Sequence, residues 1–309
     1  MARKILITGA GGFAGKNLSE YFGGKDGYEV LATRHADLDL LDEGAVKKYL
    51  SANSPDLVIH CANCGGTRKS GYDLGATDVV SRNLRMFFNL ARALPSSARL
   101  INLGSGAEYD KRAYEPKMSE SFFDSHVPAD AYGYSKYVIA KFIDNAPNMV
   151  SLRIFGLFGK YEDYTYRFIS NAIVKNLLGL PIVINQNVVF DFLYVDDFCE
   201  MVSRLLQVKP THAHYNITPT DPIDLVTLAN LINAASKKPS EIKVLNPGLN
   251  TEYTGSNKRI LAELGGFNFT SYEESIKQLY AYYAARLGKL DLESVKKDPF
   301  LKSCKTNKP

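Results

Sequence analysis

The chain opens on a short apolar run, RKILIT at 3–8, that breaks into glycines. Phe13, Leu18, Tyr21 and Phe22 then follow at helical spacing before Gly23 and Gly24. That is the pattern of a strand, a turn and a helix. It repeats, with YEVLAT (28–33) and DLVIHCA (56–62) reading as strands around a helix over 43–52. A helix through Asn83 to Leu94 leads to a strand, ARLINLG, at 98–104. Beyond it come a helix at 131–145, a strand at 148–155, a helix at 166–178 and the strand YNIT at 215–218. Strands this apolar, separated by helices of ~10–15 residues, call for parallel pairing with helices on both faces. The expected fold is therefore α/β, a doubly wound parallel sheet with a smaller C-terminal lobe. Residues 1–160 are expected to hold a dinucleotide, with segments near 190–220 returning to that domain. Residues 161–290, broken by Pro181, Pro210, Pro219, Pro222, Pro239 and Pro247, are expected to form mainly a substrate lobe, and 291–309 a basic tail.

Composition narrows this little, with 45% apolar and 23% charged residues as in an ordinary globular protein. The net charge of +4 changes the picture once it is located. Residues 286–309 hold seven Lys/Arg against three Asp/Glu, so the body is near neutral and carries no nucleic-acid footprint. The KSCKTNKP end is expected to fray. No apolar run reaches the ~18 residues of a membrane span. The apolar stretch near the start is far shorter than a secretory core of ~7–15. A cytoplasmic location is expected, and Cys61, Cys64, Cys199 and Cys304 are read as reduced thiols.

The first candidate chemistry lies in the turn Thr8-Gly9-Ala10-Gly11-Gly12-Phe13-Ala14-Gly15. Gly9, Gly12 and Gly15 suit a tight turn, close approach of backbone N–H groups to a pyrophosphate, and helix–strand packing. The motif sits where that mechanism requires, between the first strand and the first helix. Cofactor choice turns on the end of the second strand, Ala32-Thr33-Arg34-His35, where the first acid is Asp37. A carboxylate for the ribose hydroxyls of NAD is absent there, whereas Arg34 offers a partner for a 2′-phosphate. NADP is favoured over NAD; the bland alternative is that Arg34 solvates a loop. Further on, Tyr132 and Lys136 stand four apart on one helical face. An ammonium ~4 Å from a phenolate interacts by ~4 kcal/mol at an effective dielectric of 20, enough to lower a phenol pKa of ~10 by up to ~3 units. Ser105, at the end of the fourth strand, brings a hydroxyl to the edge where open α/β sheets bind ligands.

The TGxxGxxG turn, strand-end Ser105 and Tyr132-Gly133-Tyr134-Ser135-Lys136 together resemble the extended short-chain dehydrogenase/reductase family of nucleotide-sugar enzymes. The likeness runs over about residues 3–280. DLVIHCAN resembles the family's DxVIHLAA strand, LRIFGLFG (152–159) its LRxxNVYG, DFLYVDD (191–197) its RDFIYVDD, and HYNITPTDPIDLVTLANLI its YNIG segment. The resemblance implies a Rossmann sheet in which Tyr132 exchanges a proton with a sugar carbonyl, Lys136 lowers its pKa and binds the nicotinamide ribose, and Ser105 bonds the same oxygen. It also implies cofactor contacts at Gly9, Gly12, Phe13, Ala14, Gly15, Arg34, Cys61, Ala62, Leu103, Tyr132, Lys136 and Phe155, a nucleotide-sugar substrate, and a homodimer.

Departures refine the expected chemistry. Dehydratases of the family carry Thr-Asp-Glu where this chain has Ser105-Gly106-Ala107. The GDP-fucose synthase branch epimerises with a Cys and a His, at positions that are Ala107 and Tyr161 here. The family's phosphate-pairing Arg is Phe190 and its motif Asn is Gly156, with Arg167, Lys175 and Lys258 as candidate substitutes. The leading expectation is an NADPH-dependent reductase of a nucleotide-linked keto-sugar, in particular a 4-keto-6-deoxy sugar. The alternatives are a 4-epimerase that keeps its nicotinamide bound and a non-catalytic dinucleotide-binding scaffold. Cys61 and Cys64 lack a second ligand pair for structural zinc; His212 and His214, before a strand, are expected on one face, but the family segment they resemble binds no metal; and AYYAARLG (281–288) reads as a packed helix face.

Overall fold

The computed structural model describes residues 2–65 and 76–304. Its first half alternates β1 (Arg3–Thr8), α1 (Phe13–Gly23), β2 (Tyr28–Thr33), α2 (Glu43–Asn53), β3 (Leu57–His60), α3 (Ala76–Ala93), β4 (Arg99–Ser105), α4 (Ala131–Ile143) and β5 (Met149–Ile154). There follow β6 (Gly156–Phe158), α5 (Phe168–Leu177), β7 (Ile182–Asn187), β8 (Val189–Phe190), β9 (Phe192–Tyr194), α6 (Val195–Leu205), β10 (His214–Ile217), β11 (Ile223–Asp224), α7 (Leu225–Ala234) and β12 (Ile242–Leu249). Helices α8 (Lys258–Leu264), α9 (Tyr272–Ala284), α10 (Leu292–Lys296) and α11 (Pro299–Lys302) complete the described residues. Six strands pair in parallel in the order β10-β5-β4-β3-β1-β2, the doubly wound sheet expected from the pattern.

Alternation along the strands builds a core on each face. Ile5 and Ile7 of β1 pack with Leu18 and Phe22 of α1 and Phe198 of α6 on one side. Leu6 packs with Phe87, Leu90 and Ile139 of α3 and α4 on the other. Each such fully buried side chain stabilises the fold by about 1.5–3 kcal/mol. Because β2 and β3 flank β1 on opposite sides, the chain direction switches between β1 and β3. The crevice where such sheets take ligands opens above their carboxyl ends.

The C-terminal lobe packs α5, α7 and α9 around Phe158, Ile173, Ile184, Leu228, Ile232 and Ile276, with the parallel pair β7–β12 at its flank. Strand β10 pairs with β5 at the edge of the central sheet. Within the stretch expected as a basic tail, α10 and α11 dock on this lobe, burying Val295 and Phe300, and Phe300 lies against Phe168 at 5.9 Å. Two apolar anchors outweigh the surrounding lysines, whose charged heads stay in water while the backbone is held. Residues 305–309, the rest of the segment expected to fray, lie outside the described residues.

Candidate active site

The glycine turn takes the geometry its composition requires. Gly9 has φ +67°, and a Cβ there would fall 2.7 Å from the Ala62 backbone nitrogen. This close approach seats Cys61 and Ala62, at the end of β3, directly against the turn. A Cβ on Gly15 would collide with the Gly9 carbonyl, so α1 packs on the turn without a side chain between them. Gly12 is the N-cap of α1 and brings no side-chain cap to the first-turn N–H groups; Phe13 and Ala14 open the helix and are half-buried. The cradle therefore fits a pyrophosphate, with open N–H donors at the positive end of a helix dipole. Arg34 leaves the end of β2 and lies over this turn: a Cβ on Gly11 would meet its Cγ at 3.6 Å, and the side chain is exposed. Asp37 is engaged locally, accepting from the Arg34 N–H at 2.9 Å.

Ser105 ends β4 and is buried. Its Oγ accepts from the Ala107 N–H at 3.1 Å, while the Ser105 N–H donates at 3.1 Å to the Glu108 carboxylate, a reciprocal cap on a single 3₁₀ turn. Helix α4 starts against this turn. A Cβ on Gly133 would collide with the Ala107 carbonyl, so glycine lets the first turn of α4, with Tyr132 on it, reach the serine. One turn on, Lys136 is buried and its Nζ donates to the Leu103 carbonyl at 2.9 Å, 5.9 Å from the centre of the Tyr132 ring. Burial pulls the Lys136 ammonium down to about 8, opposed by the negative charge of Glu108. Phe155, just past β5, is seated between two glycines: a Cβ would fall 2.8 Å from its ring at Gly106 and 2.6 Å at Gly255. Ser105, Tyr132, Lys136, Leu103 and Phe155 thus gather at the carboxyl ends of β4 and β5, and the glycine turn, Arg34, Cys61 and Ala62 at those of β1, β2 and β3.

Other candidates do not gather there. Tyr161, with φ +73°, donates to Glu20 of α1 at 2.7 Å, a bond that raises it to about 12. Ala107 is buried and carries no titrating group. Of the candidate substitutes for the family arginine, Lys175 is buried against Asp298, while Arg167 and Lys258 are exposed at the starts of α5 and α8. Phe190 joins a ring cluster with Phe192 at 5.3 Å and Tyr253 at 5.7 Å, and a Cβ on Gly156 would sit 2.7 Å from the Asp191 carbonyl. The thiols of Cys61 and Cys64 are free. The two histidines diverge, His214 toward Asp144 and His212 toward Tyr215.

Sequence reasoning passed over three groups. Glu108 and Arg153 form a fully buried ion pair beside Ser105, and the Ser-x-x-Glu cap pattern at 105–108 is the signal that pointed to the carboxylate. Asn83 donates to Ser135 of α4 at 3.0 Å and bonds both backbone groups of Cys64, tying the end of β3 to the helix of Tyr132. Lys117, in left-handed backbone at φ +58°, reaches Thr220 O at 2.8 Å and stands 3.5 Å from the buried carboxylate of Asp191. No pattern in the sequence marks it.

Comparison with known proteins agrees with this geometry. The chain is 24% identical to a GDP-L-colitose synthase of Yersinia pseudotuberculosis over 219 residues, 64% of this chain and 70% of that one. It is 25% identical to a GDP-6-deoxy-D-talose 4-dehydrogenase of Aggregatibacter actinomycetemcomitans over 300 residues, 90% of this chain and 97% of the other. Among solved structures it superposes with a TM-score of 0.77 on a dTDP-4-dehydrorhamnose reductase of Bacillus anthracis in complex with NADP, at 19% identity, over 91% of this chain and 100% of that one. The model of the family described as "NAD dependent epimerase/dehydratase family" matches residues 5–218. With the glycine turn on β1 and the strand-end serine facing a Tyr-x-x-x-Lys helix, that match makes the chain a member of the NAD dependent epimerase/dehydratase family, and so an NAD(P)-dependent oxidoreductase of the extended short-chain dehydrogenase/reductase type.

Proposed function

We propose that the protein is an NADPH-dependent reductase of a nucleotide-linked 4-keto-6-deoxy sugar in which Tyr132 donates the proton. The observation that carries this reading is the buried Lys136 ammonium under the Tyr132 ring, tethered to the strand that ends in Ser105. The names of the relatives, a GDP-L-colitose synthase, a GDP-6-deoxy-D-talose 4-dehydrogenase and a dTDP-4-dehydrorhamnose reductase, support the substrate class. NADP is the nicotinamide cofactor, its pyrophosphate held by Gly9, Gly12, Phe13, Ala14 and Gly15 and its 2′-phosphate by Arg34.

Bound NADPH supplies hydride to the carbonyl carbon. Ser105 Oγ, already accepting from Ala107 N–H, has its own proton free to donate to the carbonyl oxygen. Lys136 has three donors and spends one on Leu103 O, leaving the others for the ribose and for the phenol side of the site. Tyr132 passes its proton to the oxygen as negative charge builds there, and the nearby ammonium favours the phenolate left behind. The Asp and Glu of dehydratases are replaced by Gly106 and Ala107, so those two positions supply no acid pair for water elimination.

Replacing Tyr132 with Phe removes the proton donor and little binding surface. Turnover with NADPH and a panel of dTDP- and GDP-linked 4-keto-6-deoxy sugars is expected to fall by about 10²-fold or more, with NADPH affinity nearly unchanged. Near-normal turnover in the purified variant would sink the mechanism.

A further inference from the structure

The acid beside the catalytic serine is built in at some cost. Glu108 and Arg153 are both completely buried and paired through Arg153 Nε. Desolvating two such charges is expensive, and replacing a buried pair by apolar side chains is often neutral or stabilising. Surrounding structure is nevertheless cut to admit this one. A Cβ on Gly104 would collide with Glu108 Oε1 and fall 2.7 Å from Ser151 Oγ, so β4 gives up a side chain to make room for the carboxylate. The guanidinium lies 4.2 Å from the centre of the Phe123 ring and 5.2 Å from that of Tyr109, and its Nη1 donates to the Tyr109 hydroxyl at 3.4 Å. With Nε, Nη1 and both ring faces engaged, Arg153 has little freedom, and the carboxylate it holds has little either.

That fixed carboxylate faces two parts of the site. One oxygen accepts the Ser105 N–H, which orients the residue whose Oγ is in turn oriented by Ala107. Its charge also acts on Lys136, whose Nζ is tethered to Leu103 O on the same strand. Among the described residues, the other titrating groups facing that ammonium carry no negative charge to support it. His60 of β3 is buried and held neutral, down to about 3, with Nδ1 2.9 Å from Thr8 Oγ1. The Cys61 thiol is pushed above its usual range by burial. Tyr132 on the same helix is the group the ammonium is meant to serve. Arg153 carries the opposite charge to Glu108 and stands behind it.

We propose that Glu108, locked in place by Arg153, is a positioning residue that sets the orientation of Ser105 and keeps Lys136 protonated at working pH. This rests on the catalytic roles given above for Ser105 and Lys136, and the test separates the two.

The protonation half is read without turnover. In full-length protein labelled with [¹³C]lysine, the Lys136 signal is identified by its loss in Lys136→Met, and its titration midpoint is followed by NMR. In Glu108→Gln/Arg153→Gln, which leaves no buried unpaired charge, the midpoint is expected to fall by about one pH unit or more. In Glu108→Asp, which keeps the charge but shortens the reach to Ser105 N–H, it is expected to stay where it is. The orientation half is read as kcat with NADPH and dTDP-4-dehydrorhamnose. Glu108→Asp is expected to lose about tenfold to a hundredfold in kcat with little change in KM. The double variant, whose amide oxygen still accepts from Ser105, is expected to keep more activity near pH 6.5 but to lose it at lower pH than wild type does. An unmoved Lys136 midpoint in the folded double variant overturns the electrostatic role, and wild-type kcat in Glu108→Asp overturns the positional one. If Ser105→Ala or Lys136→Met retains full activity, the catalytic reading fails while the NMR midpoint still decides whether Glu108 holds the ammonium.

Discussion

Arg34 is the residue on which the choice between the two nicotinamide cofactors is predicted to turn. Its aliphatic stem lies along Gly11 of the glycine turn and its guanidinium is exposed, so the free protein loses little when the side chain is cut back to alanine. The effect should therefore appear almost entirely in NADPH binding. A charge-assisted hydrogen bond is worth about 1.5–3 kcal/mol, which converts to roughly 10- to 150-fold in affinity. Exposure of the guanidinium places the expected loss near the lower end, because solvent and salt screen the pair. NADPH and NADH dissociation constants, measured by quenching of intrinsic tyrosine fluorescence or by calorimetry, supply the ratio in wild type and Arg34→Ala. The NADPH constant is expected to weaken by about tenfold or more, with NADH altered by less than about twofold. The wild-type preference should also shrink as salt is raised, while the variant's should not. Equal weakening for both cofactors would mean that Arg34 supports the turn itself, and an unchanged ratio would make it a loop residue.

Three further outcomes are expected. Run in deuterated water, the enzyme should give product without deuterium at the carbons flanking the carbonyl, since Ala107 cannot titrate and Tyr161 is bound to Glu20 and raised to about 12; deuterium above the enzyme-free rate, read by mass spectrometry, would refute this. Burial raises the Glu162 carboxyl from 4.5 to about 7, so the folded chain binds more protons than the unfolded chain across that window and stability falls as pH rises through it, by at most about 3 kcal/mol. Urea unfolding of Glu162→Gln should lack that decline, and parallel pH dependence in wild type and variant would refute the assignment. Phe300→Ala, which empties a site 3% exposed against Phe168, should cost about 3–5 kcal/mol in the same assay, where a loss under about 1 kcal/mol would show that the docked terminus contributes little.

Legibility in the sequence followed the range of the interaction. The strand–turn–helix at 3–23 announces itself because apolar period, glycine geometry and helix start all fall within a few residues. Tyr132 and Lys136 were readable for the same reason, one helical turn setting them on a common face. Arg153 was opaque because its partner is 45 residues away and meets it only through the β4–β5 register, in which Ser105 lies opposite Ile154. Nothing local says that an arginine in an apolar strand points inward to a carboxylate. The terminus misled because composition averages over a window. Its lysines dominate the count, whereas its placement is decided by Val295 and Phe300. Helix α3 starts at Ala76, ahead of the stretch from Asn83 to Leu94 through which the sequence pattern reads a helix.

The segment after Ser105 links these parts into one device. Between the 3₁₀ turn at 106–108 and α4 the chain crosses to the C-terminal lobe, where Met118 N–H donates to Thr254 O at 3.0 Å and Ser256 N–H to Met118 O at 2.8 Å. Asn216 of β10 gathers the same crossing, donating to Met118 O at 2.9 Å and accepting from Tyr109 at 2.8 Å, while its N–H meets Glu120 at 2.9 Å. Lys117 adds the contact to Asp191, whose carboxyl burial raises to about 6. The segment that follows β4 is thus bonded, about a dozen residues past Ser105, to the C-terminal lobe. A rigid serine on the cofactor side and an independent substrate lobe would leave the carbonyl oxygen to find its donors by diffusion of one lobe against the other. Sewing the crossing segment to both makes the position of Ser105 depend on the lobe's own packing. Phe190, the residue that stands where the family pattern has an arginine, packs instead on Phe192 and Tyr253, so a ring cluster and not a guanidinium closes this edge of the fold.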